Sequence, residues 1–291
     1  MGNAVEVRGL RLDYVNGQRR VRALDGVDLT LERGRAVAIV GESGAGKSTL
    51  AAVIGRLEPR GAELVEGLVR VADLDVFALD PGARRRFRRE HVGYVPQDPI
   101  AALDPTMRIG RQLALALKLH NLPASPECCG AMLAEVAMAD PQRVARLYPL
   151  GLSGGMAQRV AIALALIGKP QVVIADEPTA ALDASVREEV ITLLFRKARE
   201  INAGILWLSH DLRAVTRWCD DVAVMRRGRV VEHGPAARVL TDPSHPYTRH
   251  LVDSDPARIK PGQKLEALRG PFSDESADED PDPCVEEGGH P

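Results

Sequence analysis

Gly41-Glu42-Ser43-Gly44-Ala45-Gly46-Lys47-Ser48-Thr49 is the stretch whose reading decides the fold. It satisfies G-x-x-x-x-G-K-[ST] at every fixed position. Before it, Ala36 to Val40 is an apolar, partly β-branched run of the kind that makes a buried strand. After it, Thr49 to Leu57 has helical spacing. Strand, glycine loop and helix in this order make a phosphate cradle. The glycines let backbone N–H groups converge on phosphate oxygens where a side chain would block the approach. The helix that follows adds its positive N-terminal end. Lys47 is then a cation within reach of the β- and γ-phosphates, and the Ser48 hydroxyl is placed to ligate Mg²⁺.

Working outward, Val172 to Ala175 is a short apolar strand ending in Asp176 and Glu177, and Ile205 to Leu208 is another ending in Ser209-His210-Asp211. Carboxylates at the C-terminal end of a buried parallel strand lie where open α/β sheets bind ligands. Gly151 to Gly155 reads Gly-Leu-Ser-Gly-Gly and opens a helix from Met156 to Ile167, a second candidate anion site that carries little weight alone. Residues 4 to 33 read as antiparallel strands around Asn16-Gly17. Tyr14 in that region can stack on an adenine ring, although an isolated strand tyrosine is more often simply packed. Leu64 to Val71 and Val92 to Pro96 are further strands, the second ending at Gln97, with an arginine-rich helix introduced by Pro81-Gly82 between them. From Pro99 to Leu147 the pattern is helical, broken by Pro105, Pro123, Pro126 and Pro141, which makes an all-helical insert. A long amphipathic helix from Ala184 to Ile201 and strands at Asp221 to Met225 and Arg229 to Glu232 complete the alternation expected of a mainly parallel sheet.

The composition of the 291 residues is that of a globular protein, 45% hydrophobic and 27% charged. No run approaches the length of a membrane span, and Met-Gly-Asn-Ala-Val-Glu has no apolar signal region, so a cytoplasmic protein is expected. A net charge of −2 gives no general basic surface for nucleic acid. The local cluster Arg84, Arg85, Arg86, Arg88 and Arg89 reads as a solvated helix face, with an anionic partner as the alternative. Cys128, Cys129, Cys219 and Cys284 have no metal-site spacing and read as reduced thiols. From Pro271 onward the chain is rich in Asp, Glu, Pro and Gly without Lys or Arg, a composition that predicts disorder.

Taken together and in this order, the motifs resemble those of the nucleotide-binding subunits of ATP-binding cassette (ABC) transporters. Gly41 to Ser48 matches Walker A, Gln97 the Q-loop, Leu152-Ser153-Gly154-Gly155-Met156 the signature, Val172 to Asp176 Walker B and Glu177 the catalytic carboxylate. Ala181-Leu182-Asp183 matches the D-loop, His210 the switch histidine, and Tyr14 the adenine-stacking aromatic. A narrower likeness, to the oligopeptide, dipeptide and nickel importer branch, rests on Gln97-Asp98-Pro99, Leu103-Asp104-Pro105, Ser153-Gly154-Gly155-Met156 and His245-Pro246-Tyr247-Thr248. Leu150-Gly151 departs from the polar pair usual in that branch, and the lone Cys284 does not form the cysteine cluster of some relatives.

The resemblance implies an α/β P-loop NTPase with a mainly parallel core sheet, an antiparallel β subdomain and a helical signature subdomain at about 99–168. It implies a cassette over residues 1–252 and an extension over 253–291 that is acidic and disordered from about 271. ATP and Mg²⁺ are the implied cofactors. Gly41, Glu42, Ser43, Gly44, Ala45, Gly46, Lys47, Ser48 and Thr49 would hold phosphate, Ser48, Gln97 and Asp176 the metal, and Glu177 and His210 the attacking water and γ-phosphate. Ser153, Gly154, Gly155 and Asp183 would act across a head-to-tail pair of cassettes. The implied partners are a second cassette, separate transmembrane permease subunits and an extracytoplasmic solute-binding protein, with the chain peripheral on the cytoplasmic membrane face. A non-transport ABC ATPase of a soluble complex is the rival. A cassette that binds ATP without hydrolysing it finds little support, because Lys47, Asp176, Glu177 and His210 are all present.

Overall fold

Two long antiparallel strands, β1 (Asn3–Asn16) and β2 (Arg19–Glu32), come first, turning at Gly17, whose φ of 60° is the left-handed conformation that Asn-Gly signals. This computed structural model describes residues 2–180 and 182–255. Ala181, Cys284 and the acidic stretch from Pro271 lie outside them, as does most of the expected extension.

Next come β3 (Ala36–Val40), α1 (Lys47–Gly55), β4 (Ala62–Val71), β5 (Leu74–Asp75), α2 (Pro81–His91) and β6 (Val92–Val95). The helical stretch follows as α3 (Ile109–Leu119), α4 (Pro126–Glu135), α5 (Pro141–Arg146) and α6 (Gly154–Leu166). Pro126 and Pro141 open helices rather than break them. Each sits in a first turn, where its missing N–H has no helical partner to lose, behind the caps Ser125 and Asp140. The chain then runs through β7 (Val172–Asp176), α7 (Ala184–Glu200), β8 (Gly204–Leu208), α8 (Leu212–Trp218), β9 (Asp221–Arg226), β10 (Arg229–Pro235), α9 (Ala236–Val239) and α10 (Pro246–Asp253).

The strands form two sheets. One is antiparallel, in the order β2-β1-β4-β5; the other is six-stranded, in the order β10-β9-β3-β8-β7-β6, and parallel except for β10. β3 is buried at all five residues because both faces of its sheet are covered. Val37 and Ile39 face a core shared with the antiparallel sheet and α1, including Leu12, Leu29, Leu50 and Ile54. Ala36, Ala38 and Val40 face the opposite core, where Leu113, Leu133 and Val144 of the helical insert join Val160, Phe195 and Trp207. The insert is therefore packed into the same apolar cluster as the sheet. The expected α/β fold, with its mainly parallel sheet, antiparallel β part and helical part, is the one observed. Among the described residues no helix is long and apolar enough to cross a membrane.

Candidate active site

The parallel strands place four loops along one edge. Gly41 to Gly46 follow β3, Gln97 lies just after β6, Glu177 follows β7 and His210 follows β8. The C-terminal ends of the strands converge there, the usual ligand side of such a sheet. A cleft of about 900 Å³ opens at this edge, lined by Gly41, Ser43, Gly44, Gly46, Lys47, Ser48, Thr49, Gln97, Asp176, Glu177 and His210. Tyr14, Arg22, Ala23 and Arg227 also line it.

Backbone geometry explains the glycines. Gly41 has φ of 145°, and a Cβ there would stand 2.2 Å from the Met225 carbonyl oxygen. Gly46 has φ of 101° and caps α1 without a side-chain hydrogen bond, so the first-turn N–H groups face the cleft's phosphate end uncapped. Substituting Gly41→Ala should cost about 2 kcal/mol or more. That corresponds to a fall of about 4–8 °C in melting temperature, read by calorimetry, with weakened ATP binding alongside; an unchanged melting temperature would show that the loop can shift.

Charge within the cleft is closely balanced. The Lys47 ammonium donates to the carbonyls of Gly41 and Glu42, both at 2.7 Å. Burial pulls its pKa down, while Glu177, Asp176 and Glu42 hold it up. Burial pushes the Asp176 carboxyl up, helped by the neighbouring Glu177 charge and opposed by a Tyr94 hydroxyl bond and by Lys47. Tyr94 donates to Asp176 Oδ2 at 3.1 Å, and its own pKa is pushed up to about 12, first by burial and then by Asp176. Glu177 has a left-handed φ of 41°, which is costly for a residue with a Cβ and common at functional sites. The turn aims its carboxylate between two groups, Gln97 Nε2 and His210 Nδ1, each 3.4 Å from Oε2.

The Ser48 hydroxyl, the Gln97 amide oxygen and the Asp176 carboxylate border one cleft and are all hard oxygen donors, the set that suits Mg²⁺. Among the described residues no cluster of three His, Cys, Asp or Glu could cage a metal alone. Mg²⁺ fits this site because it characteristically takes one or two protein ligands together with substrate phosphates and water.

Not every expected residue lies here. Ala45 is buried beneath the loop and Glu42 is exposed beside it. Ser153 caps α6, accepting from the Met156 N–H at 3.3 Å; Ser153, Gly154 and Asp183 are exposed and Gly155 is partly so, and none of the four borders the cleft. Gly155 packs against α7, where a Cβ would come within 2.5 Å of Val186 Cγ1. Sequence reasoning missed Arg22, Arg227 and Tyr94. The first is brought in by the β1–β2 register that pairs Asp13 with Arg22, and Tyr94 by the pairing of β6 with β7; neither register shows in local spacing.

Comparison with known proteins agrees with this geometry. A family profile described as ABC transporter matches residues 24–180, and one described as Oligopeptide/dipeptide transporter, C-terminal region, matches residues 231–285. The probable D,D-dipeptide transport ATP-binding protein DdpD of Escherichia coli is 40% identical over 271 residues, 91% of this chain and 82% of that protein. The oligopeptide transport ATP-binding protein OppD of Salmonella typhimurium is 37% identical over 270 residues, 91% and 80% of the respective chains. A solved dimeric ATP-binding cassette in a post-hydrolysis state with ADP and Pi is 29% identical with a TM-score of 0.70, covering 80% of this chain and 98% of that one. The cbiO1 protein of Clostridium perfringens, part of the ABC transporter complex cbiONQ, is 27% identical with a TM-score of 0.72, over 83% and 92%. The chain belongs to the ABC transporter family, as an ATP-binding and ATP-hydrolysing subunit of the oligopeptide and dipeptide branch.

Proposed function

We propose that this chain powers an importer of peptides or a related small solute, working as one of two cassettes at the cytoplasmic face of a membrane beneath separate permease subunits. The observation that carries this reading is the convergence of Lys47, Ser48, Gln97, Asp176, Glu177 and His210 on one cleft. The peptide assignment draws on the dipeptide and oligopeptide transport named for the similar proteins above, none of which is named for nickel. A solute-binding protein outside the membrane would deliver the cargo.

In the proposed cycle Tyr14 stacks on adenine, and the loop N–H groups with Lys47 hold the phosphates. Ser48, Gln97 and Asp176 would hold Mg²⁺, which would supply charge neutralisation for the transferring phosphoryl group. Glu177 polarises the attacking water, and His210 contacts the γ-phosphate. Most of the work is positioning and charge stabilisation, since phosphoryl transfer leaves the protein little covalent chemistry. Ser153, Gly154 and Gly155 lie outside their own cleft, which suits them to the nucleotide of a second cassette, with Asp183 beside that seam. ATP then glues the pair, and loss of the γ-phosphate loosens it.

Purification from detergent-solubilised membranes tests the assignment. Recovery of membrane-spanning subunits, with ATPase activity that rises on adding a peptide-loaded capture protein, is the expected result. Recovery with ribosomes, DNA or a soluble enzyme complex and no permease would instead support the non-transport reading.

A further inference from the structure

Tyr247 reaches the phosphate loop from 205 residues away in sequence: its hydroxyl accepts a hydrogen bond from the Glu42 N–H at 3.0 Å. The phenol has no exposed surface. It is also held from behind. Glu232 on β10 accepts from the Ser244 and His245 N–H groups at 2.8 and 3.1 Å. His245 Nδ1 in turn accepts from the Tyr247 N–H at 3.1 Å, capping α10. The Arg226 guanidinium lies 5.3 Å from the centre of the Tyr247 ring. The same strand end backs the loop elsewhere, since the Gly228 N–H donates to the Ala45 carbonyl at 2.9 Å and Gly41 abuts the Met225 carbonyl.

We propose that Tyr247 is a positioning residue for ATP binding, a buried strut by which α10 fixes the first turn of the phosphate loop. This rests on the reading of Gly41 to Thr49 as that loop. Lys47 bonds the Gly41 and Glu42 carbonyls, so the Gly41–Glu42 peptide unit that Tyr247 steadies through its N–H is one of the two that aim the lysine. A loop already held in its binding shape loses less freedom when phosphate arrives, so removing the strut weakens binding without altering the groups that act on the water. The cleft and the segment from β10 to α10 are thereby one mechanical unit, which places nucleotide affinity under the influence of whatever contacts α10.

The test uses the full chain carrying Tyr247→Phe, which keeps the ring and removes only the hydroxyl. The equilibrium Kd for ATP and the KM should each rise about 3–10-fold, the range one neutral hydrogen bond allows, with kcat within twofold of the parent. A Kd unchanged within error overturns the proposal, as does a fall in the ligand-free melting temperature with no change in Kd, which is what a purely structural role gives. Should Tyr247→Phe not fold, Glu232→Gln, which weakens the cap and leaves the phenol, decides the matter: a rise in Kd supports the strut and an unchanged Kd refutes it. Lys47→Ala run in parallel separates the two ideas, because full ATP affinity in that variant would mean that the phosphate-loop reading itself has failed.

Discussion

Glu177→Gln is expected to bind ATP as tightly as the parent and to hydrolyse it roughly 10²–10⁴-fold more slowly, the range associated with losing a positioned proton acceptor. The substitution keeps the size of the side chain and the hydrogen bond available to Gln97, but removes the negative charge. Glu177 stands at φ 41°, tethered by its N–H to the Leu208 carbonyl at 3.0 Å, so the backbone that aims it depends on β7 and β8 rather than on the carboxylate. The amide should therefore sit where the acid sat. Two effects compete in binding. Removing a negative charge near the phosphates favours ATP, while losing one of the charges that hold up the Lys47 pKa weakens the lysine's protonation. The first acts on ATP directly and the second only through the lysine, so affinity should hold or rise slightly. Single-turnover hydrolysis with permease partners present, beside an equilibrium ATP titration, separates binding from chemistry. Turnover at the parent rate would remove Glu177 from its assigned role.

How much of this was legible in the sequence depends on how local each signal is. The strand–loop–helix at Ala36 to Leu57 carries its own signal: the left-handed φ angles of Gly41, Gly44 and Gly46 and the Lys47 bonds to Gly41 and Glu42 fall within one short segment, and the strand lies at Ala36–Val40 as the spacing predicts. Asp176 and Glu177 were legible because acids closing a fully apolar strand fall at the ligand-binding edge of a parallel sheet. By contrast, α8, α9 and α10 were not read as helices. α8 is only seven residues long, and its signal was the cap Asp211, whose Oδ1 accepts from the Ala214 N–H at 3.0 Å. A lone aspartate after His210 reads as easily as the polar end of a strand. The places of Arg22 and Tyr94 at the cleft were not legible, and Tyr247 stood out only as part of His245-Pro246-Tyr247-Thr248, without its contact to the loop. Each reaches the cleft or its loop through a pairing or packing contact made by residues distant in the chain. The signature residues show the converse: Ser153 to Gly155 stand out as a motif in the sequence, yet within one chain they do not border the cleft that holds Lys47 and Glu177.

Lys47→Ala should abolish useful nucleotide binding, weakening ATP affinity by at least about 10²-fold, on the basis that hydrogen bonds to charged groups carry about 1.5–3 kcal/mol each and 1.4 kcal/mol is tenfold. The side chain has two tasks. It is the cation nearest the phosphate end of the cleft, and it ties the Gly41 and Glu42 carbonyls at 2.7 Å, which stops the loop from opening. Alanine removes both, and leaves Asp176 and Glu177 facing the cleft without their nearest positive partner. That uncompensated pair repels phosphate, so the loss exceeds what the missing hydrogen bonds alone would give. Lys47→Arg tells the tasks apart: it restores the charge, but its planar head cannot reproduce a compact ammonium with tetrahedral donors between two carbonyls. Calorimetric titration with ATP should therefore rank the parent above arginine and arginine above alanine. Equal affinities in parent and alanine variants would mean that the loop holds something other than phosphate; equal affinities in parent and arginine variants would mean that charge alone, and not the brace across the carbonyls, sets the binding.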